Sequence, residues 1–390
     1  MTGSAPLPNL PPLNAAEAEH SAALLQRITQ RIDAAGGFID FAVFMELALY
    51  APGLGYYSAG SAKIGAAGDF TTAPEVSTLF ARCVARQCAQ VLREMPGGSI
   101  LELGAGTGRM AATLLEELAA LQALPANYYI LEVSADLAQR QRAQLASLPE
   151  ALRTRVQWLE QLPETPLQGV IVANEVLDAL PCRRFTVDDH MTLELGVSHG
   201  AGALHWARRP ADAALSAAVQ ELGAPLAAGY TSELCLLADP WVGSLAAILE
   251  RGVMLFFDYG LPRAQYYHPE RRGGTLTCHY KHRAHFDPLL HVGVQDITAW
   301  VDFTRVALAA HGTGLEVLGF CTQAGFLLGA GIEELLGAPR AAKDQARLAG
   351  EARRLLLPGE MGEAFKLLAL GRGVDVPLIS FRHQDLRDSL

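Results

Sequence analysis

The sequence has no Cys-x-x-Cys pair: its six cysteines, Cys83, Cys88, Cys182, Cys235, Cys278 and Cys321, are spread widely along the chain. That spacing excludes a disulfide scaffold and a zinc ribbon and reads as reduced, mostly buried thiols in a cytosol-like compartment. Positive charge is scarce as well. A formal net charge of -10 argues against nonspecific nucleic-acid binding and leaves a cationic partner or a plain solvated acidic surface. No long uncharged apolar run reads as a membrane span. No arginine or lysine precedes Arg27, so neither a secretory signal nor an amphipathic transit peptide is read at the start, and a soluble intracellular protein is expected. No internal repeat is evident. What is present is 390 residues, 50% of them hydrophobic, enough for one large elaborated domain or two smaller ones.

Residues 1–16 are proline-rich and read as a flexible tail, followed by an N-terminal helical region over 17–95. In that region Phe41, Phe44, Met45, Ala48 and Leu49 share a helical face that Pro52 and Gly53 end, and Tyr57 falls in the loop beyond. Thr72 and Glu75 fit a capping box that opens a helix to about Met95, burying Val76, Phe80, Val84 and Val91. The period then alternates. "SILELG" and "YYILEVS" read as strands around a helix that turns Met110, Leu114, Leu115 and Leu118 inward, a right-handed βαβ unit that predicts a parallel sheet. A helix near 135–148 and a strand at 156–159 follow. "GVIVAN" and "GVMLFFDYG" are nearly continuous apolar runs, as in strands covered on both faces. The expected organisation is a core at 96–181, an inserted substrate or partner region at 182–250, a core strand at 251–262, a second insertion at 263–303 and a C-terminal part of the core at 304–390. The first insertion should hold an antiparallel hairpin of 185–197 with 204–208 around "SHGAGA", then a helix in "ADAALSAAVQEL".

The stretch "ILELGAGTGRM" poses the functional question. A dinucleotide fingerprint needs a third glycine where Arg109 stands, and a phosphate loop needs a Gly-Lys-Ser/Thr that is absent. The run from Glu102 to Gly108 matches instead the acidic-x-Gly-x-Gly-x-Gly turn of class I S-adenosylmethionine-dependent methyltransferases, in which glycines bring bare backbone against the ligand. That match implies that Gly104, Ala105, Gly106, Thr107 and Gly108 hold the methionine part of the cofactor. Glu102 would reach its amino end directly or through water. An acid closing an apolar strand costs desolvation unless it is paired or ligated, and in that fold Glu132, with Val133 and Ser134 beside it, would take the ribose hydroxyls. Trp158 or Leu159 would flank the base. After "GVIVA" come Asn174, Glu175 and Asp178, polar groups at the strand ends where open parallel sheets handle ligands. A ligand-free tight turn, a solvent-facing Glu132, a core Trp158 and a helix-capping Asn174 remain the competing readings.

Together these pieces closely resemble the MidA-like family of class I methyltransferases, through "APGLGYYSAG", "GDFTTAPEVS", "LELGAGTGRM", "ILEVS", "VIVANEVLDALPCRRF", "FFDYG", "GTLTCHYKHR", "GVQDITAWVDFT" and "MGEAFKLLALG". The resemblance implies an α/β, Rossmann-like sheet, mostly parallel with an antiparallel final strand, bearing an N-terminal helical region and large insertions. It implies S-adenosyl-L-methionine as cofactor and S-adenosyl-L-homocysteine as product. Thr71, Thr72, Pro74 and Glu75 become a wall near the cofactor, and Asn174, also counted with the cofactor site, joins Glu175 and Asp178 in a reaction-side loop. The family's mitochondrial member is a respiratory complex I assembly factor that symmetrically dimethylates an arginine of a complex I subunit. The lack of a targeting pattern here suggests a bacterial, cytoplasmic relative.

An arginine acceptor brings a protonated guanidinium with a fixed fork of donors, which one or two carboxylates can orient. Glu175 is the first candidate for that clamp and Asp178 the second, with Asp69 a third from the N-terminal loop. In "CHYKHRAH", Cys278, His279, His282 and His285 lack a standard zinc spacing, so no metal is expected. His279 and Tyr280, with Tyr57, are candidates to line a substrate groove. The leading expectation is protein-arginine methylation of a protein substrate such as a respiratory-chain subunit, without nucleic-acid binding or membrane insertion and compatible with a homodimer. The alternatives are methylation of a small molecule or another side chain, and a cofactor-binding assembly scaffold with little turnover.

Overall fold

The apolar runs around the glycine turn form the centre of an eight-stranded sheet, seven strands in one path with the short strand Val301–Asp302 paired beside it, in a computed structural model that describes residues 10–59, 71–188 and 191–390. The candidate Asp69 lies outside the described residues. The chain divides into two units, one of Thr72–Leu180, Leu236–Tyr266 and Trp300–Leu390, the other of Met1–Thr71, Pro181–Cys235 and Tyr267–Ala299.

In the first unit the strands are β1 (Ser99–Leu103), β2 (Tyr128–Leu131), β3 (Val156–Leu159), β4 (Leu167–Asn174), β5 (Leu249–Leu261), β6 (Glu316–Thr322) and β7 (Phe365–Arg372). Their spatial order is β6-β7-β5-β4-β1-β2-β3. The pairs β5–β4, β4–β1, β1–β2 and β2–β3 are parallel, and β7 runs antiparallel to both β5 and β6. This is the Rossmann-like α/β sheet with an antiparallel final strand. The chain leaves the centre in opposite directions from β1 and β4, so their carboxyl ends flank the switch point at which open sheets bind ligands.

Alternation along the strands divides the core between two faces. Ile100, Val172, Leu255 and Phe257 join the helices α1 (Ala73–Val76), α2 (Thr78–Arg93) and α3 (Arg109–Ala120) on one side. Leu101, Ile171, Met254 and Phe256 meet Val242, Leu245, Phe303 and Val306 on the other. The helix expected from Thr72 to Met95 is broken: Ser77 is extended (φ -157°, ψ 145°) and its Oγ accepts from Leu79 N at 3.2 Å, starting α2 afresh. Thr72 precedes α1 without a side-chain cap bond, so there is no capping box. Helix α4 (Ala135–Leu145) is capped by Ser134. The helix Ala238–Ile248 packs Val242 and Leu245 on the sheet and belongs to this unit. It was expected within the insertion at 182–250, but a parallel β4–β5 pair needs a crossover and this helix supplies it.

The second unit holds the helices Ala15–Ala34, with Asn14 and Glu17 forming a reciprocal capping box, and Phe41–Tyr50, with Phe41, Phe44, Met45, Ala48 and Leu49 buried. A five-stranded antiparallel sheet includes Arg183–Asp188, Met191–Gly200 and Ala203–Pro210. The segment 185–197, expected as one arm of a hairpin, thus belongs to two strands. Glu194, fully buried in this sheet, is neutralised by Arg183 and Arg209. Thr277–Tyr280, Arg283–His285 and Asp296–Thr298 form a three-stranded sheet. Among the described residues no helix is long and apolar enough to cross a membrane.

Candidate functional site

Beyond β1 the chain turns through Gly104, Gly106 and Gly108 at φ 63°, 54° and 83°. These left-handed conformations cost an L-residue ~1–2 kcal/mol each, which is why glycine is needed here. The turn is closely packed: a Cβ on Gly104 would stand 3.3 Å from Val176 Cγ2, and one on Gly108 3.1 Å from Gln141 Cα. Thr107 donates its hydroxyl to Glu75 Oε1 at 2.5 Å, and Arg109 Nη1 lies 3.5 Å from Glu75 Oε2. Glu75 therefore ties α1 to the glycine turn rather than capping its own helix. Pro74 is buried in α1, and Ala105 is buried within the turn.

Glu102 faces the same side of the sheet as Ile100 and accepts a 2.6 Å bond from the Tyr128 hydroxyl, with 1% of its surface exposed. Burial pushes its carboxyl up to about 7; the Tyr128 bond opposes the rise and the charge of Glu132 adds to it. Its carboxyl is thus occupied inside the flank of the sheet.

Glu132, just past β2, is the acceptor hub of this edge. Its Oε1 accepts from Ser134 N at 2.9 Å and its Oε2 from Gln141 Nε2 at 2.8 Å. Gln141 Nε2 also donates to Gly106 O at 3.0 Å, and Gln141 Oε1 accepts from Trp158 Nε1 at 3.0 Å. Burial raises the Glu132 carboxyl, and the bonds from Ser134 and Gln141 pull it back. Val133, between these anchors, is 76% exposed. Trp158 packs on the α2/α3 face and Leu159 on the opposite one, so only Trp158 stands with Gln141, beneath the guanidinium of Arg142 at 4.8 Å.

The second edge follows β4. Asn174 Nδ2 donates to Glu175 Oε1 at 3.1 Å, and Glu175 N donates to Phe257 O of β5 at 2.8 Å. Glu175 sits at φ 54°, an uncommon left-handed conformation for a non-glycine residue that it shares among the described residues with Gln122, Ala201, Lys281, His282 and His291. Asp178 is 5% exposed and its carboxyl is hydrogen-bonded by the Tyr259 side chain. Beside it Asp258 is 1% exposed and accepts from the backbone N–H groups of Leu177, Asp178 and Tyr259 at 2.9, 3.2 and 2.9 Å. Burial raises both carboxyls, and Asp258 is raised further by the charges of Asp178 and Glu175. Asn174 Oδ1 and Asp178 Oδ1 are buried without a donor. The cap reading of Asn174 does not hold, since its side chain is turned to Glu175.

Sequence reasoning missed Gln141, Tyr259 and Asp258. Asp258 carried the signal used for Glu132, an acid closing the apolar run "GVMLFFDYG". The remaining candidates Thr71, Tyr57, His279 and Tyr280 belong to the other unit. Tyr57 donates to Asp296 Oδ1 and the buried Tyr280 to Glu17 Oε2, each at 2.9 Å, while His279 is paired across its sheet with Ala284 and Asp296. Among the described residues no group of three or more His, Cys, Asp or Glu is arranged to hold a metal.

Comparison with known proteins places these two edges in context. The model of a family described as "Putative S-adenosyl-L-methionine-dependent methyltransferase" matches residues 83–321. A crystal structure from Burkholderia thailandensis with bound S-adenosyl-homocysteine superimposes with a TM-score of 0.94 at 42% identity, over 98% of this chain and 100% of that one. A native crystal structure from the same organism gives 0.91 at 42% identity, over 98% and 100% of the two chains. The protein arginine methyltransferase NDUFAF7 homolog, mitochondrial, of Drosophila melanogaster is 30% identical over 371 residues, 87% of this chain and 82% of the relative.

Proposed function

Because this chain belongs to the S-adenosyl-L-methionine-dependent methyltransferase family whose model it matches, we propose that it transfers the methyl group to an arginine of a protein substrate. Methyl transfer and the cofactor follow from the family and from its S-adenosyl-homocysteine-bound relative; the arginine acceptor is the added step. The residues fit the cofactor: three positive-φ glycines leave backbone bare at the switch point, and the buried Glu132 is held in place two ways. When bound, the cofactor supplies an electrophilic methyl group on a sulfonium.

One observation carries the arginine reading. The reaction-side loop has a surplus of acceptors: Asn174 Oδ1 and Asp178 Oδ1 are buried without donors, beside the buried Asp258 and the strained Glu175. A guanidinium is the complementary group, a permanent cation with five N–H donors and no acceptor. Glu175 and Asp178 would hold its fork and leave one terminal nitrogen aimed at the methyl carbon, an alignment that supplies much of the catalysis when a bimolecular step becomes an intramolecular one. The proton need not leave before attack, because the nitrogen becomes much more acidic as the new bond forms, and a neighbouring carboxylate can then take it. The curated arginine methyltransferase relatives support the same acceptor, and a respiratory-chain subunit is the candidate substrate.

The test is incubation of the purified chain with methyl-labelled cofactor and a lysate of matched cells, followed by acid hydrolysis of the labelled product. Labelled methylarginine is the expected outcome. Label in dialysable metabolites or on another side chain overturns the reading. Glu175→Gln should lower transfer by roughly 100-fold or more, as loss of one preorganised electrostatic group does, while S-adenosyl-homocysteine affinity stays within about threefold.

A further inference from the structure

We propose that Asp258 is the positioning residue of the reaction-side loop, holding the backbone of residues 177 and 178 from the neighbouring strand and thereby orienting the carboxyl groups of Glu175 and Asp178. The inference rests on reading that loop as the side that meets the acceptor.

The geometry argues it in three steps. The loop leaves β4 through the strained Glu175, whose backbone N–H donates to Phe257 O at 2.8 Å. Asp258 then holds the next stretch of the loop from the neighbouring strand. Its Oδ2 accepts from both Leu177 N and Asp178 N at 2.9 and 3.2 Å, while its Oδ1 accepts from Tyr259 N at 2.9 Å, fixing its own rotamer. Adjacent strands carry the arrangement, since β4 and β5 are paired in register up to Asn174 opposite Phe257. Finally, a buried carboxylate is a costly way to hold a loop that a neutral acceptor could hold more cheaply. That cost is lowered by holding the carboxyl towards its neutral form, through burial and the charges of its neighbours. Those neighbours are Asp178 and Glu175 from the loop, Tyr259 on its own strand, and Lys366, its register partner on β7. Lys366 is turned to the carbonyls of Glu363 and Ala364, so it gives Asp258 no direct partner. Asp178 and Asp258 therefore titrate as a pair, in which the charge of Asp178 holds back the ionisation of Asp258.

Two variants separate the backbone role from the charge. In Asp258→Asn the amide oxygen can still accept from Leu177 N and Asp178 N, with the bond to Tyr259 N lost and the charge removed. Asp258→Ala loses all three bonds. Transfer is read as total protein-bound label, so it does not depend on which side chain accepts the methyl. Asp258→Ala should lower kcat by roughly 100-fold, with KM for the cofactor and affinity for S-adenosyl-homocysteine changed less than about threefold. Asp258→Asn should keep activity within about tenfold and leave the acid limb of the kcat profile in place, because Asp178 ionises beside an Asp258 carboxyl that burial and the charge of Asp178 itself hold back. Asp258→Ala active at the wild-type rate, Asp258→Asn as impaired as Asp258→Ala, or cofactor binding lost in parallel with transfer overturns the proposal. If the wild type labels no protein, the arginine reading fails by itself and amide hydrogen exchange decides this one. Exchange at Leu177 and Asp178 should be at least about tenfold faster in Asp258→Ala, and unchanged exchange overturns the proposal.

Discussion

Two edges of one sheet place an acid at the end of an apolar strand and satisfy it in opposite ways. Past β2, both oxygens of Glu132 are taken up by Ser134 N and Gln141, and the glycine turn beside it is closed by the same glutamine. Past β4 and β5, three carboxyls crowd together, Glu175 is strained, and two buried acceptor oxygens have no donor. The first edge has its acceptors bonded within the chain, as suits the side proposed for the cofactor. The second leaves two buried acceptor oxygens without donors, and N–H donors are what the proposed guanidinium would supply. Preorganisation of this kind does not have to be built anew at the moment of reaction.

The sharpest way to break the comparison is at its most satisfied residue. Gln141→Ala leaves Gly106 O, Glu132 Oε2 and Trp158 Nε1 without partners, a loss on the order of 3 kcal/mol. S-adenosyl-homocysteine affinity should fall by roughly 100-fold, read by calorimetry. Wild-type affinity would mean that the first edge is not held by its hydrogen bonds. Next comes Gly104→Ala, which puts a side chain on a φ of 63° and a Cβ 3.3 Å from Val176 Cγ2. A left-handed alanine costs ~1–2 kcal/mol, so affinity should fall by about tenfold. Because Val176 belongs to the reaction-side loop, kcat should fall with it. An unchanged kcat would show the two edges to be independent.

What could be read in the sequence follows the same division. Strands declare themselves by apolar runs, and the glycine turn by spacing that only positive φ explains, so the sheet and the first edge were legible from "SILELG", "YYILEVS" and "GVIVAN". Gln141 was not, because nothing local distinguishes it from Gln139 and Gln144 on the same polar helix; only the packing of α4 against the turn selects it. Asp258 was visible as a buried acid but not as a partner of Asp178, since 80 residues separate it from that backbone amide and only the parallel pairing of β4 with β5 brings them together. Glu75 shows how a local rule can be overridden. Its spacing from Thr72 suits a capping box, yet its carboxylate forms a stronger, charge-assisted bond with Thr107, from a segment the spacing rule does not see. The inserted unit was hardest, because it is assembled from three separated stretches of chain.

The smallest effect on affinity is expected at Glu102, the acid most exposed to misreading because it opens the glycine motif. Its carboxyl is bonded to the Tyr128 hydroxyl inside the sheet's flank, so Glu102→Gln should bind S-adenosyl-homocysteine within about threefold of wild type. Its signature lies in stability. Burial raises the carboxyl from 4.5 to about 7 in the folded protein, so between those values the folded chain holds a proton that the unfolded chain has released. Stability then falls as pH rises through that window, by on the order of 2–3 kcal/mol for this group. Glutamine cannot ionise, and the variant escapes that loss. Its melting temperature should equal wild type at pH 4.5 and below and exceed it by several degrees at pH 8. A constant difference across the range would show that folding does not raise the Glu102 carboxyl, and a large loss of cofactor affinity would return it to the ligand's first contacts.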